Sequence, residues 1–271
     1  MEISSKGILG RLAKVIESVD KRQQRLKDAV LNFKSRGCSV DPWAATLWLQ
    51  ANMEVIGEEP PKITQLQEGL KALCDDLMLK FDTDFKNKAS SKGLLVSGQW
   101  PKYFINHILP VSVNEKKHRV GIGEDPPITP LIERIFKNIQ SQLKMLEIPP
   151  EKLADFLQEL FNSYKELVSP ATRTVAVLDL YKRIVINRQS TKFWRNASAQ
   201  NFRPFRELDF KAFLTKLLKA NLTSISGHQL RLHPPIKKGD SMYIYQPGEN
   251  RFCHVGRVEF QLIEGGEPCQ R

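Results

Sequence analysis

Cysteine is scarce in this chain of 271 residues. The four cysteines are Cys38, Cys74, Cys253 and Cys269, and no two of them stand in a C-x-x-C spacing. A small secreted domain held by disulfides would carry more cysteine for its size, and structural zinc sites use closely spaced ligand pairs. The sequence therefore predicts reduced thiols and, with them, a cytoplasmic location.

Long apolar runs are missing as well. No stretch approaches the about 18 uncharged apolar residues that a membrane helix requires. Residues 1–6 contain no apolar region of the kind that signal peptides carry. We therefore expect neither secretion nor a membrane span, and no membrane partner.

The known motifs of catalysis and cofactor binding are also absent. The five histidines form neither H-E-x-x-H nor H-x-H, and the glycines form neither a dinucleotide-binding loop nor a P-loop. No G-x-S-x-G elbow for a nucleophilic serine occurs. The sequence thus predicts no metal and no cofactor, and it favours a protein that is not an enzyme.

Two groups of polar residues leave weaker alternatives open. The first group could converge on a metal ion in a predicted β-rich end. It consists of His228, His233, Cys253 and His254. The second group, Glu207, Asp209 and Lys211, could form the site of a metal-dependent nuclease. Its spacing of two does not place all three side chains on one helix face, and carboxylates at a helix start commonly stabilise the helix dipole.

Over most of the chain, apolar residues recur at spacings of three and four, which predicts amphipathic helices. After Gly227 the pattern changes to period two, which predicts strands. The expected fold is mainly α, a bundle of about seven helices with a small C-terminal antiparallel β region, and so α+β overall. The predicted strands are 229–233, 241–246 and 251–263.

Capping residues and breaks divide this pattern into elements. Asp41 followed by Pro42 predicts a helix start, as do Thr64 and Thr129. Helices are predicted at 5–36, from 42, at 64–85, from 130, from 150, at 174–186 and at 209–220, although 174–186 also tolerates a strand. The predicted domains are an N-terminal helical lobe 1–125 with an irregular segment 88–125, a second helical lobe 126–224, and a β region 225–271. Within the irregular segment, 94–96 and 103–105 could be short strands.

The chain is strongly basic, with a formal net charge of +11. The excess is concentrated in the segment 182–206, and no acid occurs between Asp179 and Glu207. Four rings are interleaved with its cations: Phe193, Trp194, Phe202 and Phe205. Cations neutralise phosphates and release counterions, and exposed rings stack on unpaired bases. The segment therefore predicts nucleic acid, DNA or RNA, as a partner.

The predicted function is that of a non-enzymatic, nucleic-acid-associated accessory subunit of a larger assembly. The predicted contact residues are Arg183, Arg188, Lys192, Trp194, Arg195, Phe202, Arg203 and Arg206. One alternative is that the rings anchor a loop to the core while the cations are solvated or paired with the chain's own acids. Another is a helical subunit that binds a protein partner through apolar stripes such as that of the helix 5–36.

Overall fold

The structure is a computed structural model of the chain. It describes residues 5–18, 31–56, 60–169, 172–237 and 239–263. The chain divides into two compact units, Met1–Gln142 and Leu143–Arg271. None of the helices in the described ranges combines the length and the apolar character that a membrane span requires.

Helices with a common core open the first unit. They are α1 (Ser5–Ser18), α2 (Pro42–Ile56) and α3 (Pro60–Ser91), and residues 31–35 are helical as well. Leu12, Trp48 and Leu70 bring one side chain from each helix into this core, where all three are almost fully buried. The predicted helix 5–36 is thus helical near both ends, and its middle, 19–30, lies outside the described residues.

Asp41 caps α2 and ties it to a distant loop. Its Oδ1 accepts hydrogen bonds from the backbone N–H groups of Trp43 and Ala44, both at 3.1 Å, which confirms the predicted cap. Its Oδ2 accepts a hydrogen bond of 2.6 Å from the hydroxyl of Thr129. The prediction of a helix start at Thr129 is wrong, because that hydroxyl serves this tertiary contact and helix α4 spans Ile132–Met145.

A four-stranded antiparallel sheet lies in the middle of the chain. Its strands, paired in chain order, are β1 (Val96–Gln99), β2 (Lys102–Ile105), β3 (Leu109–Asn114) and β4 (Arg119–Ile122). The fold is therefore α+β, with three antiparallel sheets in the residues described, and the prediction of a mainly helical bundle with only a C-terminal β region is wrong. The sheet lies within the segment 88–125 that was predicted to be irregular, and residues 88–91 of that segment belong to α3.

Short strands and unusual turns explain why the sequence suggested at most two short strands here and not a four-stranded sheet. Strands β1, β2 and β4 have four residues each, too few for a clear period-two pattern. The turns use left-handed backbone at Asn106, His107 and His118, with φ of 52°, 62° and 47°. Such residues are typical of loops, so the polar turns obscure the buried positions between them.

Aromatic rings join α3 to the sheet and to α4. Phe85 of α3 stacks on Tyr103 of β2 at 4.9 Å between ring centroids and contacts Phe136 of α4 at 5.2 Å. The Tyr103 hydroxyl donates a hydrogen bond to Asp82, and burial together with this bond raises the pKa of Tyr103. Helix α3 begins at Pro60 rather than at the predicted Thr64, because proline fits the first turn of a helix.

The second unit places helices beside two small sheets. Its elements are α5 (Pro150–Leu167), β5 (Val175–Ala176), α6 (Val177–Asn187), α7 (Thr191–Arg195), α8 (Glu207–Lys219), β6 (Ser224–Ile225), β7 (His228–His233), β8 (Met242–Gln246), β9 (Arg251–Val255) and β10 (Arg257–Leu262). One sheet has the order β5-β10-β7-β6, and the other is the pair β8-β9. Phe156 of α5, Leu180 of α6 and Phe210 of α8 are fully buried in the core beneath them.

Gly256 divides the predicted strand 251–263 into β9 and β10. A Cβ at this position would lie 2.2 Å from the Cα of Pro235, which no side chain can tolerate. The backbone N–H of Gly256 donates to the carbonyl of His233, and its carbonyl accepts from Val177, both at 2.9 Å. The close approach of two backbones thus requires glycine here and sends β9 and β10 into different sheets.

Replacing Asp41 by alanine tests the role of this carboxylate in the first unit. We expect the free energy of unfolding to fall by about 2–4 kcal/mol, because the α2 cap is lost and the buried Thr129 hydroxyl loses its acceptor. Asp41→Asn keeps a capping oxygen and should lose less. Urea unfolding measures both variants, and equal losses in the two would contradict this assignment.

Candidate nucleic-acid interface

The predicted contact segment forms a loop between two core helices. After α6 ends, the hydroxyl of Ser190 caps the short helix α7 by accepting a hydrogen bond of 3.3 Å from the backbone N–H of Phe193. An irregular stretch then leads to α8. Residues 190–203, here named the contact loop, leave α6 and return beside it. The two ends of the contact loop are therefore neighbours, and other residues must hold them together.

Gln189 holds these ends together. The side chain is buried, with 9% of its surface exposed, and its Nε2 donates to the carbonyls of Val185 at 2.7 Å and of Arg203 at 2.9 Å. Its Oε1 accepts the backbone N–H of Arg203 at 2.9 Å. One amide thus satisfies both backbone groups of a residue 14 positions away and holds the two ends of the contact loop together.

A second set of contacts fixes the chain just after the contact loop. The hydroxyl of Tyr181 donates to the carbonyl of Phe205 at 2.9 Å. The ring of Phe205 is buried and contacts Phe210 and Phe213. Of the four rings in the basic segment, Phe205 is therefore the one that anchors the loop to the core.

Three of the predicted contact residues are paired with the chain's own carboxylates, and we call them the inner cations. Arg188 donates to both oxygens of Glu159 at 2.8 and 2.6 Å. Arg206 donates to both oxygens of Asp209, and Arg183 lies 3.8 Å from a carboxylate oxygen of Glu166. The inner cations are Arg183, Arg188 and Arg206. Their charge is largely compensated within the second unit.

The other three cations, the outer cations, stand on the contact loop. They are Lys192, Arg195 and Arg203. All three are exposed, and among the residues that the structure describes none has an ion-pair partner. The sequence between Asp179 and Glu207 supplies no acid that could pair with them locally. Their positive field is consequently directed to the solvent.

Exposed rings accompany the outer cations. Trp194 has 60% of its surface exposed and Phe202 has 41%. Phe193 lies between them, 5.2 Å from the Trp194 ring and 5.7 Å from the Phe202 ring, measured between centroids. The contact loop thus brings together five of the eight predicted contact residues. Cations beside accessible ring faces can bind a phosphate backbone while unpaired bases stack on the rings.

Neither the predicted metal group nor the predicted nuclease trio forms a site in the residues that the structure describes. Asp209 is held by the backbone N–H and the side chain of Arg206, and Lys211 forms an ion pair with Glu207, so the nuclease trio acts as a helix cap with its charges paired. No group of three or more His, Cys, Asp or Glu side chains that could hold a metal ion occurs in the described ranges. The three histidines of the predicted metal group have separate partners: His228 contacts the carbonyl of Ser226, His233 contacts Glu259, and His254 contacts Ser241.

Sequence reasoning missed the role of Gln189. The sequence presents it as one of several amides in the basic segment that could contact nucleic acid or position the backbone. Its hydrogen-bond partner Arg203 is 14 residues away, and no local pattern links the two. The Gln189 amide can hold the two ends of the contact loop together only because the chain returns to α6.

Limited digestion by trypsin tests this role of Gln189, since the contact loop contains Lys192 and Arg195. We expect Gln189→Ala to accelerate cleavage after these residues about 5- to 30-fold, as the lost hydrogen bonds contribute roughly 1–2 kcal/mol against local opening. Asn187→Ala is the matched control, because that amide contacts Ser163 on α5 and not the loop. Equal acceleration by both substitutions would contradict the role of Gln189.

The chain matches no family model, no curated protein and no solved structure. Neither a shared fold nor the activity of a relative therefore bears on the contact loop. Its function has to be inferred from the exposure, the charge and the contacts of its own residues.

Proposed function

We propose that this chain is a non-enzymatic, nucleic-acid-associated subunit that binds single strands through the contact loop. The observation that carries the proposal is the exposed indole of Trp194 among three cations that have no ion-pair partner in the described part of the chain. The outer cations contact phosphates. Trp194 and Phe202 stack on bases. The inner cations are paired with carboxylates of the second unit and take no part in the contact.

Stacking favours a single strand over a duplex. The faces of paired bases are covered by their neighbours, whereas an unpaired base offers its face to an exposed ring. An indole with most of its surface in water has little packing to lose on binding. Tryptophan and arginine are also common at protein interfaces. The experiments must therefore distinguish binding to a nucleic acid from binding to a protein.

The salt dependence of binding tests the outer cations. We expect Arg195→Ala with Arg203→Ala to weaken binding of a labelled single-stranded 20-mer and to reduce the slope of log affinity against log salt by about 1.4, since each phosphate contact contributes about 0.7. Fluorescence anisotropy between about 50 and 300 mM salt measures both quantities, with DNA and RNA oligonucleotides in separate titrations.

Lys182→Ala with Arg183→Ala is the matched control for that double variant. It removes the same formal charge, but Lys182 lies 3.3 Å from Asp179 and Arg183 lies beside Glu166. A change of net charge alone would affect both double variants equally. Such a result, or an unchanged slope in the loop variant, would refute phosphate binding by the outer cations.

Trp194 is tested by the difference between single strands and duplexes. We expect Trp194→Ala to weaken single-strand binding about 5- to 150-fold, the range that corresponds to roughly 1–3 kcal/mol for one stacked base, with little change in the salt slope. Trp194→Phe should restore part of the affinity, and duplex binding should change little. Equal losses for duplex and single strand would contradict stacking.

A further inference from the structure

The first unit contains a cavity whose lining includes no residue of the contact loop. It has a volume of about 530 Å³ and is lined by residues of α2, α3 and the turn between β3 and β4. This volume falls within the range of about 300–1,000 Å³ that is usual for small-molecule sites. Trp43, Leu70 and Cys74, all buried, form part of its wall.

The Cys74 thiol in the wall of this cavity is not activated as a nucleophile. Burial raises the pKa of the Cys74 thiol to about 11, so the thiol remains protonated and behaves as a small apolar group. The hydroxyl of Thr46, which also lines the cavity, donates to the carbonyl of Pro42 at 2.8 Å. The cavity is therefore suited to binding, with an apolar interior.

Cations stand at the edge of the apolar interior. Three cations line the cavity: Lys71 of α3, Lys117 of the β3–β4 turn and Arg119 at the start of β4. None of the three has an ion-pair partner in the described ranges. His118 lies between Lys117 and Arg119, and Glu68 contributes one carboxylate. The three cations outnumber the one carboxylate in the lining of the cavity.

The turn that carries Lys117 and leads to Arg119 is ordered by hydrogen bonds. The side chain of Asn114 accepts the backbone N–H of Lys117 at 3.0 Å, and the backbone N–H of His118 donates to the carbonyl of Glu115 at 3.1 Å. The turn then enters β4, where Arg119 pairs with Asn114 across the strands. Both cations therefore have fixed backbone positions, which reduces the entropy lost when they bind an anion.

We propose that this cavity binds a small amphipathic carboxylate, with the apolar chain inside and the carboxylate at Lys117 and Arg119. Apolar walls favour a hydrocarbon body, and unpaired cations at the opening favour one negative charge. A neutral hydrocarbon leaves the cations without a counterion, and a small inorganic anion leaves the apolar wall in contact with water. An amphipathic carboxylate satisfies both.

Calorimetric titration with straight-chain carboxylates tests the apolar half of this proposal. Affinity should rise about fourfold with each methylene from butyrate to octanoate, as burial of each group predicts. Octan-1-ol and octylamine should bind at least tenfold more weakly than octanoate. Affinity that is independent of chain length would indicate pairing with surface cations alone and would overturn the proposal, as would octan-1-ol binding as tightly as octanoate.

Substitutions in the turn test the charged half. Lys117→Ala and Arg119→Ala should each weaken octanoate binding roughly tenfold or more. Lys116→Ala is the matched control, since Lys116 is exposed on the same turn but does not line the cavity, and its affinity should stay within about twofold of the unmodified chain. Lys117 makes its turn hydrogen bond through the backbone, so its variant keeps the fold even if the Arg119 variant does not. Equal losses in the Lys116 and Lys117 variants would exclude the assigned contacts.

Discussion

The geometry of the contact loop depends on how Arg188 is held. Its guanidinium binds both oxygens of Glu159, and its central carbon lies 3.6 Å from the centroid of the Phe205 ring. A partly buried cation loses hydration, and a bidentate carboxylate with an aromatic face replaces that hydration in a fixed geometry. Because Gln189 follows directly, the position of Arg188 also fixes the amide that closes the loop. An exposed loop can therefore leave the helix and return to it without a core of its own.

This arrangement divides the cations of the basic segment into two groups, the paired inner cations and the exposed outer cations. The inner cations are satisfied by carboxylates of α5 and α8, so they stabilise structure and contribute little to the field outside. The outer cations repel one another on a segment without acids, which costs free energy in the unbound protein. In the proposed function, binding of a polyanion relieves that repulsion. The net charge of +11 would not by itself distinguish these two groups, whereas the positions of the neighbouring carboxylates do.

Local patterns in the sequence predicted what local interactions determine. The Asp41 cap, the helical periodicity and the strands after Gly227 depend on residues a few positions apart, and the described residues contain the cap, helices and strands, with the predicted strand 251–263 divided at Gly256. The central sheet was not predicted as a sheet, beyond two possible short strands, because its strands are short and its turns are polar. The division between inner and outer cations could not be predicted from the sequence, because it depends on distant contacts. Arg188 pairs with Glu159, which is 29 residues away, and only the packing of α6 on α5 creates this contact.

The contact loop and the cavity of the first unit use the same pair of interactions in different shapes. Each places cations that lack ion-pair partners, within the described residues, next to apolar surface. On the loop the rings and the outer cations are exposed to solvent, and we propose that they contact successive phosphates and bases of an extended strand. In the cavity the space is limited to about 530 Å³, and we propose that it holds one short apolar chain with a single carboxylate. The two proposals differ in the kind of anion because an exposed loop can follow a long polyanion, whereas an enclosed volume limits the size of its ligand.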